Sequence, residues 1–272
     1  MRKIAMLLAA ALVSIAAAQV PALAGDDDAD NSFGTRYSAG IDKKITKGLH
    51  VFAEEEVRVN GDFSSLDRMY TSAGISYKIC PYLKVGAGYT AINAWREDSE
   101  GVKSWDWRHR GTADITGMIK EGGWKFSLRE RFQATYKTRE VSEYEQPQTA
   151  LALKSRFKVS YDIPKTGLSP YVSIEHRLAL NGAKWDDLCT DETNFRNSEY
   201  IGLKDIYTSR LRSQFGLQWE MSKRNALELY FLYDNITDRN IDCKKSRVML
   251  KEPVTTTQRN FMAVGLGYTF SF

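Results

Sequence analysis

Phe261-Met-Ala-Val-Gly-Leu-Gly-Tyr-Thr-Phe-Ser-Phe272 closes the chain. Val264, Leu266, Tyr268, Phe270 and Phe272 are apolar at every second position, with Gly265, Gly267, Thr269 and Ser271 between them. Side chains of a strand point alternately to its two faces. The segment therefore predicts a β-strand with one greasy face and one small, polar face.

The other end of the chain agrees with an exported protein. Arg2 and Lys3 precede the apolar run Ile4 to Ala16, and Ala22-Leu23-Ala24 fits small-x-small cleavage with Gly25 as the first mature residue (Ala18 is an alternative site). Residues 1–24 thus read as a cleaved secretory signal peptide and 25–272 as the mature domain. No cysteine stands at the cleavage site, so no lipoprotein signal is present. Beyond residue 24 no apolar run approaches the roughly 20 residues of a membrane helix. The closing strand, ending on Phe272, resembles the C-terminal recognition signal of Gram-negative outer-membrane β-barrels, which implies engagement by the barrel-assembly machinery.

Alternation recurs along the chain. Leu49, Val51, Ala53, Val57 and Val59 oppose His50, Glu54, Glu56 and Arg58. Trp124, Phe126, Leu128, Phe132, Ala134 and Tyr136 oppose Lys125, Ser127, Arg129, Arg131, Gln133 and Thr135. Leu151, Leu153, Phe157, Val159 and Tyr161 oppose Lys154, Arg156, Lys158 and Ser160. Runs of about 10 residues suit tilted membrane strands. Connections alternate: 44–48, 80–82, 120–123, 164–169 and 220–224 are short, whereas 60–67, 96–104, 138–149, 181–202 and 236–257 are longer. Short periplasmic turns and long outer loops are the outer-membrane pattern. The expected fold is all-β, a single antiparallel transmembrane β-barrel of 10–12 strands in the outer membrane. Eleven runs are countable; an even number is usual, which leaves a twelfth in residues 25–32 or a long loop, or one run that is no strand. Trp95, Trp107, Tyr136 and Tyr233 at one end, and Tyr77, Tyr82, Trp124, Tyr161 and Trp219 at the other, form two expected headgroup girdles. In a soluble barrel or sandwich the greasy face would point inward instead.

Three segments, Val51-Phe-Ala-Glu-Glu-Glu-Val-Arg-Val-Asn60, Val85-Gly-Ala-Gly-Tyr-Thr90 and Gly265-Leu-Gly-Tyr-Thr-Phe270, resemble an uncharacterised family of Gram-negative outer-membrane barrels known as a domain of unknown function. The resemblance implies a barrel over the mature chain. It brings no activity and no catalytic residues.

The polar face is the candidate interior. Its basic residues, Arg58, Arg68, Lys84, Arg108, Arg110, Lys125, Arg129, Arg131, Lys154, Arg156, Lys158, Arg177, Arg210 and Arg212, outnumber its acids, Glu54, Glu56, Asp106, Asp114, Asp162, Glu175, Glu228 and Asp234. Rings of Arg and Lys attract anions, so one reading is a porin-like pore or pocket for small anions. The other is a packed, non-conducting lumen whose Arg–Glu pairs satisfy one another, with function in outer loops that meet partners or lipopolysaccharide. The whole chain carries 38 Lys and Arg against 34 Asp and Glu. That near-balance argues against a nucleic-acid partner.

A nucleophilic Ser on the same strand face as a His would lie two residues from it. Neither His50, His109 nor His176 has such a neighbour, so no enzyme is expected. Glu55 and Glu130 fall on the apolar face, where bulges that swing them inward are the simplest explanation. Cys189 and Cys243 lie in two different outer loops and either form a disulfide or stay free; Cys80 sits unpaired in a short turn. The spacings match no zinc site. There is no P-loop or dinucleotide fingerprint, and no metal or cofactor is implied.

Overall fold

The computed structural model describes residues 31–60, 65–97, 103–244 and 248–272. The signal peptide expected over residues 1–24 lies outside the described residues. Eleven strands form one closed barrel. They are β1 (Asn31–Thr46), β2 (Leu49–Asn60), β3 (Ser65–Cys80), β4 (Leu83–Glu97), β5 (Lys103–Glu121), β6 (Trp124–Lys137), β7 (Thr149–Tyr161), β8 (Leu168–Trp185), β9 (Tyr200–Glu220), β10 (Asn225–Asn240) and β13 (Thr255–Ser271). Two-residue strands β11 (Cys243–Lys244) and β12 (Met249–Leu250) make a small hairpin in the last loop.

The odd count forces one unusual joint. Every neighbouring pair of the barrel is antiparallel except β1 with β13, which run parallel from Asn31↔Asn260 to Asp42↔Ser271. The seam is sealed at its lower end, where Lys44 N donates to Phe272 O at 3.2 Å and Phe272 N donates to Asp42 O at 3.0 Å. The closing strand thus pairs on both edges, with β10 and with β1, which leaves no open edge in the wall.

The apolar face points outward. Tyr37, Ile75 and Phe215, from three different strands, are 48%, 52% and 57% exposed. Large apolar side chains displayed around a closed wall belong in hydrocarbon; they exclude the soluble alternative, in which they would fill the core. At the short-turn rim, Gly122 and Gly123 both have positive φ (56° and 92°). They form the two-residue loop between Glu121 and Trp124. Two consecutive positive φ values match the type I′ hairpin turn, which glycine adopts without a Cβ clash.

On the long-loop rim the strands run further than the alternation suggests. β8 continues to Trp185 and β10 to Asn240. The β8–β9 ladder carries repeated register shifts there, between Ala179, Gly182, Lys184 and Trp185, so strict period-two patterning is lost while pairing persists. Three outer connections then share one small core. Trp185, Phe195, Cys243, Leu250 and Val254 are buried together, with Tyr144, Cys189, Tyr200 and Ile241 against them. Trp185 Nε1 donates to Tyr144 O at 2.9 Å, Tyr200 Oη to Glu143 O at 2.9 Å, and Val254 N to Cys189 O at 2.7 Å.

Candidate functional site: a basic lumen

The inward face encloses a cavity of about 620 Å³. Eleven Arg and Lys side chains and four carboxylates line it. Of the charged residues singled out from the sequence, Glu54, Glu56, Arg58, Arg110, Arg129, Arg131, Arg156 and Arg212 face this space. Glu175 is buried beside it, bound to Arg129 and Lys154. Arg210 reaches Asp234 at 3.7 Å, Arg177 donates to Ser209, and Arg108 pairs with Asp106 nearer the loop rim.

Register explains the crowding. β6 and β7 place Arg129 directly opposite Arg156, and Arg131 directly opposite Lys154. Like charges at directly opposed positions repel. Partial compensation comes from flanking strands: Asp114 on β5 takes Arg131 at 2.8 Å, and Glu175 on β8 takes Arg129 at 3.0 Å and Lys154 at 3.3 Å. Arg156 stands between Arg129 on β6 and Glu175 on β8 in register, and the buried Nε of Arg129 has no hydrogen-bond partner. Below this block, Lys158 Nζ stands 3.6 Å from the centre of the Tyr171 ring. A second hub is Asp234, which binds Arg212, Arg210 and Arg36 at once. Four cations against two carboxylates on one patch of wall give a local field that draws anions.

Aromatic rings narrow the lumen, seated on glycines. Tyr230 pairs across strands with Gly265, and Tyr171 with Gly216. A Cβ on Gly216 would stand 2.5 Å from the Tyr171 ring, and one on Gly265 would collide with Tyr230. The small face of the closing strand is therefore a platform for a ring lying flat against the wall. Arg36, Phe52 and Tyr70 also line the cavity and were not selected from the sequence. The parity was available, since Tyr70 shares a face with Arg68 and Ser72; an aromatic or apolar residue on a polar face is simply not what alternation looks for.

The cysteines are all free thiols, with Cys189 and Cys243 in the loop core and Cys80 exposed. Cys243 is fixed on β11 opposite Leu250, and Cys189 by its carbonyl bond to Val254. Among the described residues no cluster of three or more His, Cys, Asp or Glu is arranged to hold a metal. The bulges expected at Glu55 and Glu130 are absent. Both residues sit in uninterrupted register, Ala39↔Glu55↔Thr71 and Ile115↔Glu130↔Ser155. They stay on the outward face.

The expectation that the chain is not an enzyme does not stand. It rested on partners two residues away on the same strand, whereas the sheet supplies partners from neighbouring strands. Tyr89 Oη lies 2.5 Å from His109 Nδ1, and Thr208 Oγ1 lies 2.9 Å from His176 Nε2. A barrel of this form does not by itself exclude catalysis.

Residues 33–244 match the family described as "Protein of unknown function (DUF2490)". The chain belongs to this family. No curated protein matches it. Among solved structures it is similar to the outer-membrane expressed OmpT of Vibrio cholerae, at 9% identity and a TM-score of 0.37. The match covers 82% of this chain and spans 64% of the length of that one.

Proposed function

We propose that this DUF2490 protein is an outer-membrane barrel that offers small anions a selective path or binding pocket through its lumen. The observation that carries the reading is the opposed cation block of Arg129, Arg131, Lys154 and Arg156 facing the cavity. Its repulsion is a cost to folding, and an anion in the lumen removes that cost. Residues 1–24 act in this reading as the export signal, and the doubly paired β13 with Phe272 as the strand taken up by the barrel-assembly machinery. The loop core faces lipopolysaccharide outside. A non-conducting interaction barrel is the second reading, favoured by that core, because it ties three loops into one surface.

The test is single-channel conductance of residues 25–272 refolded into planar bilayers under a salt gradient. The expected result is steady anion-selective current, less selective in Arg129→Gln and Arg156→Gln. Silence from a barrel shown to be folded by its heat-modifiable migration rejects the conduit and favours the interaction reading.

A further inference from the structure

The outward wall carries a polar row where hydrocarbon should meet it. Glu130 on β6 pairs in register with Ser155 on β7, and Ser155 with His176 on β8. The Ser155 hydroxyl donates to Glu130 Oε2 at 2.6 Å, and His176 Nε2 lies 2.9 Å from Thr208 Oγ1 on β9. Directly paired residues on one face hold their Cβ atoms about 4.5–5.5 Å apart, so Ser155 and His176 stand side by side. Neighbouring outward positions include the exposed apolar side chains Phe132, Ile174 and Ile206. Four consecutive strands thus contribute a carboxylate, a hydroxyl, an imidazole and a second hydroxyl to one line. A lone polar residue facing lipid is tolerated near a rim; here two hydrogen-bonded pairs, Glu130 with Ser155 and His176 with Thr208, stand side by side on the lipid face, where each polar group costs stability.

The row climbs toward the loop rim. Glu130 is six residues from Trp124 at the short-turn end of β6, whereas Thr208 is eleven residues from Trp219 at that end of β9. At about 3.3 Å per residue along a strand tilted by roughly 40°, Thr208 lies near the outer edge of an apolar band about 25 Å tall. Exposed Lys204 stands four residues beyond it, suited to a headgroup phosphate. Ester linkages of outer-leaflet lipids lie at that level, between acyl chain and headgroup.

The geometry points to an acyl-ester hydrolase site on the lipid-facing wall, with Thr208 as nucleophile, His176 as general base, and the Ser155–Glu130 pair as the polar neighbour beside the imidazole. The substrate class is an ester-linked acyl chain of a membrane lipid. Thr208 Oγ1 attacks the ester carbonyl carbon while its proton passes to His176 Nε2. The bond from that carbon to the alcohol oxygen breaks, and His176 returns the proton to the departing alkoxide. Water, deprotonated by His176, then attacks the acyl-threonine, releases the fatty acid and restores the hydroxyl. The net reaction consumes one water and needs no oxidant or reductant. The site is separate from the lumen, and neither reading depends on the other.

The experiment uses the full mature chain refolded into vesicles of a phospholipid bearing one fluorescent ester-linked acyl chain. Release of the labelled fatty acid above protein-free vesicles is expected. His176→Ala and Thr208→Val should each lower it by about 100-fold or more, Thr208→Ser should retain it, and the rate should rise with pH as an imidazole deprotonates. All variants are first checked for heat-modifiable migration, so a loss from misfolding is recognised. Glu130→Gln, which keeps the hydrogen-bond shape, serves as a second variant with a smaller loss. No release from folded wild-type barrel overturns the proposal. So does release that survives in both His176→Ala and Thr208→Val.

Discussion

Arg212 grips Asp234 at two points across β9 and β10, Nε to Oδ1 at 2.6 Å and Nη2 to Oδ2 at 2.7 Å. Asp234 is 1% exposed, and Arg210 and Arg36 reach its Oδ2 at 3.7 and 3.6 Å. One carboxylate therefore anchors three guanidinium groups from β1 and β9 and offsets one of their three charges. Asp234→Asn keeps the shape and removes the charge. Breaking a buried pair costs about 3–5 kcal/mol, and urea unfolding in lipid vesicles should show a loss of that size. A change below about 1 kcal/mol would mean that lumen water solvates the three arginines as well as the carboxylate does.

Arg156 gives a different expectation. It stands opposite Arg129 on β6 and opposite Glu175 on β8, one repulsive and one attractive cross-strand pair, so Arg156→Gln should change stability by less than about 1 kcal/mol. The same variant should weaken anion preference in the bilayer experiment. Unchanged stability together with a loss of selectivity is the signature of a residue kept for its charge. Loss of both would assign Arg156 to packing.

Gly265→Val places a branched side chain where the Tyr230 ring lies. The ring must leave the wall, and overpacking of this kind costs about 1–3 kcal/mol. Thermal unfolding of the refolded barrel checks it. Val at Gly111, which has open space around it, should cost far less and serves as the comparison.

Thiol labelling should separate the cysteines in time. Burial pushes the Cys189 and Cys243 thiols up from their ordinary range, which lowers the thiolate fraction that reacts. Cys80 is exposed and Cys243 is buried. A maleimide at neutral pH should modify Cys80 first, Cys189 later and Cys243 only when the loop core opens. Equal rates at all three, read by peptide mass, would show that the core is open in solution.

Acid should loosen that core through Asp191. Its carboxylate accepts from Thr193 N and Oγ1 at 2.8 and 2.6 Å and from Asn194 Nδ2 at 3.0 Å. The bonds from Thr193 come first among the causes that lower its pKa from 3.8 to about 2. A folded value below the unfolded one means that the stabilisation is complete above about pH 4 and is lost as pH falls toward 2. Asp191 O also accepts from Phe195 N at 2.9 Å, so this turn seats a core residue. Trp185 fluorescence should change between pH 4 and 2 in the wild type. It should already be shifted at neutral pH in Asp191→Ala.

Much of the wall was legible because membrane strands obey one rule for their whole length. Val264 to Phe272 keep strict period two, and Trp124 to Tyr136 keep it but for Glu130, so their faces follow from residue number alone. Which face met lipid was not legible from period; it took the loop lengths, the aromatic ends and finally the exposure of Tyr37, Ile75 and Phe215. The ends of β8 and β9 were missed because register shifts near Gly182 and Lys184 break the parity while leaving the hydrogen bonds. Charge excess on the polar face was visible, but the opposition of Arg129 and Arg156 depends on register between strands, which a single chain does not write down. Thr208 was hidden for the same reason, since the shift between Arg177 and Leu178 is what brings it to His176. Glu130 is a charged residue on an apolar face in the sequence; the bulge that would swing it inward is absent, and its carboxylate stays on the outward side.

The parallel seam has a topological consequence. β1 descends from the long-loop rim alongside β13, so the described chain begins at one mouth of the cylinder, at Asn31, and ends at the other, at Phe272. An even-stranded barrel brings its two ends to one mouth, where a short linker can join them and new ends can be cut elsewhere. Here a joining segment would have to travel the height of the wall, roughly 50 Å along a 16-residue strand, through lipid or through the charged interior. Circular permutants of this protein should therefore fail to insert. A reporter placed before Asn31 and one placed after Phe272 should be read from opposite sides of the membrane.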